Sequence, residues 1–306
     1  MNRLITGGTM FALLLGLTMA VTVSISEAKV IKATCTPTKG LNATIKKAKP
    51  GDVVNVTGTC NENVVIPANI SGITIDGQGL ATINAAGAGP FAVHVLGTDI
   101  TLKNLAINGG SIAVYVTSAA SAIIDNSTVQ GASSIGINIT HNSVARIVDS
   151  IIQNNGGCGV NVTEGSAARV GYRSHVDTQA SPNAILNNRY GVCVNRSSNA
   201  RIVGSSISNN ALDGILIDTV SHADVSGNTI DGNGRNGMFV TRNSGINLGL
   251  TTGPVIFQAA NATAANSASY GIACSLNSYV EGPLGSVNGT SGATQFLNQC
   301  VNATVP

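Results

Sequence analysis

Three groups of side chains in this sequence have types and spacings that could do chemistry. Arg146, Arg169 and Arg201 sit one residue after Ala145, Ala168 and Ala200, and Asp224 takes the same place after Ala223. Guanidinium groups recurring in this way make a strip suited to polyanions, because Arg grips carboxylate or sulfate in a two-pronged contact. The plainer alternative is three solvated side chains fanning apart. The second group is Thr140-His141, Thr163-Glu164, Asn195-Arg196, Asp218-Thr219 and Thr241-Arg242. It contains Glu164 and Asp218, a carboxylate pair whose expected separation of about 10 Å suits hydrolysis with inversion. The third is the cluster Tyr172, Arg173, His175, Asp177 and Gln179. There His175 is the candidate base and Asp177 the group that orients it, with Tyr172, Arg173 and Arg196 as candidate binding residues beside the Arg strip. Each reading competes with ordinary surface polarity or a tolerated loop.

These residues are placed by a repeat. Gly136, Gly159, Gly191, Gly214 and Gly237 each open a Gly-x-x-x strand pattern, with gaps of 23, 32, 23 and 23. Ala122, Ala145, Ala168, Ala200 and Ala223 keep the same register, with gaps of 23, 23, 32 and 23. Two markers therefore agree, down to a nine-residue insertion between Gly171 and Asn187. Within each unit the apolar sites alternate, as in Ile137/Ile139, Val160/Val162 and Ile215/Ile217, the pattern of a strand with one face buried. The Asn pairs 154-155, 187-188 and 209-210 read as turns that tolerate left-handed backbone. A unit this short cannot bury its apolar face alone, so copies must stack, each strand pairing in parallel with its equivalent one coil away.

Composition fits that picture. Of 306 residues only 10% are charged and 3% aromatic, with no Trp, 36 Gly and a net charge of +2. Such a chain is neither a disordered polyelectrolyte nor a coiled coil, and it lacks the basic excess and rings of a nucleic-acid binder. Residues 1–28 read as an export signal, with Arg3, the apolar run 10–23 and Ser26-Glu27-Ala28 at its end. A secreted or periplasmic, monomeric protein without further membrane attachment is expected. Six cysteines then suggest disulfides. Cys35 with Cys60, and Cys274 with Cys300, would staple the two ends. Cys158 and Cys193 lie three positions apart in repeat coordinates, which looks too wide for a bond without backbone movement. No metal-ligand spacing is present.

The repeats, such as Asn228-Thr229-Ile230 followed by Gly237-Met238-Phe239-Val240, resemble the right-handed parallel β-helix proteins of the pectin-lyase-like class. Gly58-Thr59-Cys60-Asn61-Glu62-Asn63-Val64 is similar to a segment common in exported bacterial members. The resemblance covers roughly residues 51–300. It implies an all-β, right-handed parallel β-helix of 23-residue coils. The expected layout is an N-terminal cap over 29–50, with a short amphipathic helix at 38–49 carrying Leu41, Ile45 and Ala48. The helix proper then covers 51–276 and a C-terminal cap 277–306. For function, the resemblance implies action on an acidic polysaccharide or cell-surface glycan by a polysaccharide lyase or glycoside hydrolase, with Ca²⁺ held by Asp in lyases and no other cofactor. The Asn-Thr-Asp, Asp-Asp and Gly-His-Gly motifs of polygalacturonases are absent. The alternative is a structural or adhesin-type solenoid without catalysis, and a carrier or maturation role is weakened by the lack of His/Met/Cys clusters.

Overall fold

The structure, a computed structural model, describes residues 28–36, 39–87, 89–249, 254–266, 270–282, 286–289 and 300–302. The expected export segment and most of the final thirty residues lie outside them. The chain winds as a parallel β-solenoid whose coils have three faces. One coil illustrates it: Val144–Val148 lies on the first face, Ile151–Gln153 on the second and Cys158–Val162 on the third. Every strand pairs in parallel with its equivalent in the next coil, and the third face is a ladder of nine strands. Thr74–Asn84 and Ile100–Asn108 run through the corner between the first two faces, which joins those ladders into one sheet.

The register follows the Ala marker: Ala122, Ala145, Ala168, Ala200 and Ala223 are direct neighbours. Two residues on, Ile124, Ile147, Val170, Ile202 and Val225 form a column with no exposed surface. Each such aliphatic side chain contributes about 1.5–3 kcal/mol by leaving water. Neighbouring rungs are only about 4.8 Å apart, so β-branched aliphatics fill the column and large rings find little room.

The Asn pairs divide their labour. The first member turns the chain, with φ of 56° at Asn154 and Asn187 and 54° at Asn209. The second points inward and is buried. Asn155 Nδ2 donates to Asn188 Oδ1 (2.9 Å), Asn188 to Asn210 (3.2 Å), Asn210 to Asn233 (2.9 Å) and Asn233 to Asn266 (2.9 Å). Each also donates to a carbonyl of an earlier coil, as Asn210 does to Ile185. Ser143, Ser166, Ser198 and Ser221 form a second buried ladder, each backbone N–H donating to the next hydroxyl at 3.1–3.2 Å. The corners, where strand pairing lapses, thereby keep their polar groups satisfied.

At the N-terminal end the helix is one turn, Asn42–Ile45, shorter than the sequence suggests. Leu41, Ile45 and Ala48 are buried over the first coil as their spacing predicts. The Leu41 amide and the Asn42 side chain both donate to Glu62, which fixes the turn in place. A strand that the sequence reading missed, Val30–Thr34, adds a rung against Val53–Thr57. Cys35 and Cys60 are bonded, with Cα atoms 4.9 Å apart. Past residue 276, Ser278–Glu281 still stacks on Gly245–Leu248 and pairs with Cys300–Asn302. The expected Cys274–Cys300 bond involves the Cys300 side chain, outside the described residues.

Cys158 and Cys193 are joined by a disulfide, which corrects the expectation that they lie too far apart. In register Cys193 faces Asn161, three residues beyond Cys158. A straight strand would separate the two Cα atoms by about 11 Å, yet they are 6.1 Å apart. The cause is a bend at Gly159. A Cβ there would meet Ile185 and Asn188 of the interior, and the next residue, Val160, also points inward. Two successive inward residues require a corner, and the disulfide spans it. The loop it closes has a sequence separation of 35. The Cys158→Ala/Cys193→Ala variant is expected to lose about 3–4 kcal/mol of unfolding free energy on the chain-entropy model, read as a lower urea midpoint.

Candidate functional site: a groove along the first face

Arg146, Arg169, Arg201 and Asp224 are direct neighbours on the first face. Their position is forced. Ala145 and Ile147 on either side are buried, so the residue between them must face out. Arg201 is satisfied by the next rung: its Nε and Nη2 donate to Asp224 Oδ2 at 3.1 and 2.9 Å. Asp224 also accepts from His222 Nε2 (3.3 Å) and Asn247 Nδ2 (3.1 Å), and His222 Nδ1 meets the Tyr279 hydroxyl at 3.1 Å. His222, and after it Arg201, holds the Asp224 carboxyl below its ordinary range against the opposing effect of burial. Arg146 and Arg169 differ. Neither has a carboxylate partner among the described residues, and Arg146 Nε is buried without any hydrogen-bond partner. Two adjacent like charges with open donors favour an anion between or above them.

Two insertions build one wall beside this strip. The first, residues 171–183, leaves the first-face strand Ala167–Val170 and re-enters at Ala184–Leu186. Arg173 ties it down: Nη1 and Nη2 grip Asp125 at 2.9 and 2.7 Å, and Nη2 also reaches Asp149 at 2.5 Å. Those carboxylates push the guanidinium further from deprotonation. Asp177 accepts from the backbone amides of Arg173 (2.7 Å) and Ser174 (2.8 Å), so it holds the loop's own shape. No hydrogen bond joins it to His175, which is exposed on the loop. The second insertion carries a one-turn helix, Val255–Gln258. Its Phe257 meets Tyr172 edge-on at 5.1 Å, and these two with Val203 and Ile256 form a small apolar cluster outside the main column. The Arg201 guanidinium lies 4.9 Å from the Phe257 ring centre. Tyr172 is therefore a buried prop of the wall, only 2% exposed.

Three linked clefts lie along the strip, and the wall borders the outer two through Arg173 and Tyr172. The central one, about 270 Å³, contains Asp99, Ser121, Arg146 and Arg169. It shares Arg146 with a cleft of about 380 Å³ holding Asp76, Lys103 and Arg173. It shares Arg169 with one of about 310 Å³ holding Tyr172, Arg201, His222 and Asp224. Together they make a groove across eight rungs, from Val53 to Asp224, about 34 Å by rung spacing.

Other candidates fall elsewhere. Glu164 is ion-paired with Arg196 (2.6 Å), and Asp218 with Arg242 (2.7 Å). Glu164 and Arg196 line a depression on the third face that shares no residue with the groove. Asp218, one residue past the third-face strand Ile215–Ile217, lines none of the groove's clefts. The ladder reading reached Asp224, but His222 beside it in the groove, and Tyr279 and Phe257, which support His222 and Arg201, escaped it. His222 precedes the marker Ala223 as Asp224 follows it, so reading the position before the marker as well as the one after would have found it. Tyr279 and Phe257 lie where the period weakens and carry no such signal.

The described residues do not form the carboxylate set that calcium needs. Their only group of three converging His/Cys/Asp/Glu side chains is Cys35, Cys60 and Glu62, and both sulfurs are committed to a disulfide. Asp125 and Asp149 are occupied by Arg173.

A family model described as "Right handed beta helix region" matches residues 52–177 and 171–281. Among solved structures, pectate lyase Pel9A superposes with a TM-score of 0.58 at 14% identity, covering 83% of this chain and 79% of that one. An alginate lyase from Paenibacillus sp. str. FPU-7 gives 0.54 at 15% identity, covering 90% and 99%. At these identities the likeness is one of fold. No curated protein matches the chain.

Proposed function

Since the chain belongs to the right-handed β-helix family, we propose that it binds an acidic polysaccharide lengthwise in the first-face groove. The observation that carries this reading is the pair Arg146 and Arg169, two neighbouring guanidinium groups without a carboxylate partner on the groove floor. A polymer with a carboxylate on successive sugars offers anions to both, and each contact is a charge-assisted hydrogen bond. Arg201, already matched by Asp224, and the Arg173 strut shape the ends and the wall. Two solved structures of similar fold, a pectate lyase and an alginate lyase, are named for activity on polymers of this kind. Disulfides at Cys35–Cys60 and Cys158–Cys193 suit an oxidising compartment, so we place the protein outside the cytoplasm, secreted or periplasmic. Among the described residues no helix is long and apolar enough to cross a membrane.

Cleavage is a second reading, favoured by one observation. His222 stands at the groove's end between Asp224 and the Tyr279 hydroxyl, an arrangement that orients an imidazole for proton transfer. His175 and Asp177 are assigned to the wall, where Asp177 is spent on loop backbone. Native affinity electrophoresis in gels containing polygalacturonate, alginate or dextran tests the binding reading. Retardation by a polyuronate and not by dextran is the expected result. Equal mobility in all three gels would overturn it. Growth of unsaturated-uronate absorbance in the same mixtures separates lyase action from binding alone.

A further inference from the structure

We propose that the third face carries a second, separate glycan site, one for neutral oligosaccharides. It does not rest on the acidic-polymer reading. In a chain with few rings, three aromatic side chains stand in a row at one end of this face. Phe91 and His94 have ring centres 4.5 Å apart, and His94 and Tyr115 are stacked at 5.0 Å with planes 21° from parallel. His94, Tyr115, Asn138 and Asn161 are successive neighbours in register. One face of the Tyr115 ring is therefore used by His94. The other looks along the ladder over the shorter Asn138 and Asn161, into a depression of about 510 Å³ that Tyr115 helps line.

The floor of that depression is a one-way chain of amides. Thr163 Oγ1 donates to Asn195 Oδ1 (2.6 Å), Asn195 Nδ2 to Asn161 Oδ1 (2.9 Å) and Asn161 Nδ2 to Asn138 Oδ1 (2.7 Å). Asn138 Nδ2 ends the chain with no partner among the described residues, beside the Tyr115 ring. His141 adds to this end. Its Nδ1 meets the hydroxyls of Thr117 and Thr140, both at 3.1 Å, which leaves Nε2 open to a ligand. The only charges in the depression, Glu164 and Arg196, neutralise each other at 2.6 Å.

A ring face, a row of aligned amides, hydroxyls and no net charge suit a neutral pyranose. Its C–H face packs on the negative face of Tyr115, and its hydroxyls meet Asn138, Asn161 and His141. An acidic sugar would find no unpaired cation here. The first-face groove is the reverse, with open guanidinium groups and a ring that is buried in the wall.

Calorimetric titration of the full chain with cellohexaose, mannohexaose and laminarihexaose tests the proposal. At least one is expected to bind, with the same affinity at low salt and at about 1 M NaCl, where exposed charges are screened within about 3 Å. Tyr115→Ala and, independently, Asn138→Ser are each expected to weaken that binding by about tenfold. Arg146→Ala/Arg169→Ala is expected to leave it unchanged, so failure of this site and failure of the groove are read separately. Absence of binding by all three hexaoses overturns the proposal, as does wild-type affinity in both third-face variants.

Discussion

Removing both open guanidinium groups, as Arg146→Ala/Arg169→Ala, is expected to weaken polyuronate binding by about 100-fold or more. Each hydrogen bond to a charged group is worth about 1.5–3 kcal/mol, and two such losses compound. The effect should exceed that of Arg242→Ala, which removes an exposed partner of Asp218 on another edge. Lys at the two groove positions should not restore full affinity, because an ammonium cannot match a carboxylate with two parallel donors. Wild-type affinity should fall as salt rises, and the double variant should have lost most of that dependence. The fold should be indifferent. Both side chains face outward and make no ion pair among the described residues, so the urea midpoint of the variant should stay near wild type.

The largest stability effect is expected from the buried corner, with Asn210→Leu. Asn210 accepts from the Asn188 backbone amide (3.0 Å) and side chain (3.2 Å) and donates to the Ile185 carbonyl (3.2 Å) and Asn233 Oδ1 (2.9 Å). Leu has similar bulk but none of these groups, so a buried N–H and a buried C=O lose their partners. Each such loss costs about 1–3 kcal/mol, and about 4 kcal/mol in total is expected as a drop in the urea midpoint. The neighbouring Asn209→Ala should cost only about 1 kcal/mol, the penalty for an ordinary side chain in left-handed backbone. Equal effects at the two positions would contradict the division of labour between them.

Sequence legibility here followed the repeat. Wherever two markers kept step, the register could be read without coordinates. The column from Ile124 to Val225 and the strip from Arg146 to Asp224 stand where the Ala spacing puts them. Spacing alone does not show how the coil bends. Cys158 and Cys193 looked too distant because repeat counting treats a strand as straight, whereas the chain corners at Gly159. Nor does spacing show which way a turn directs its side chains: Glu164 lines a depression on the third face that shares no residue with the groove. Insertions were visible only as extra length. That the first forms a wall depends on Arg173 meeting Asp125, 48 residues away in sequence. That the second completes it depends on Phe257 meeting Tyr172. Contacts of this kind leave no period behind. The shortage of aromatic residues proved less informative than their placement, since most of the described rings border either the groove wall or the third face.

The central claim is that an acidic polymer lies along the first face, and amide hydrogen exchange with and without polygalacturonate tests it most directly. Slower exchange is expected in the first-face strands Val144–Val148, Ala167–Val170 and Asn199–Val203 and in the wall loop 171–183, with Cys158–Val162 and Tyr190–Val194 on the third face unchanged. Protection confined to the third face, or none at concentrations that retard the protein in the gel, would contradict the account.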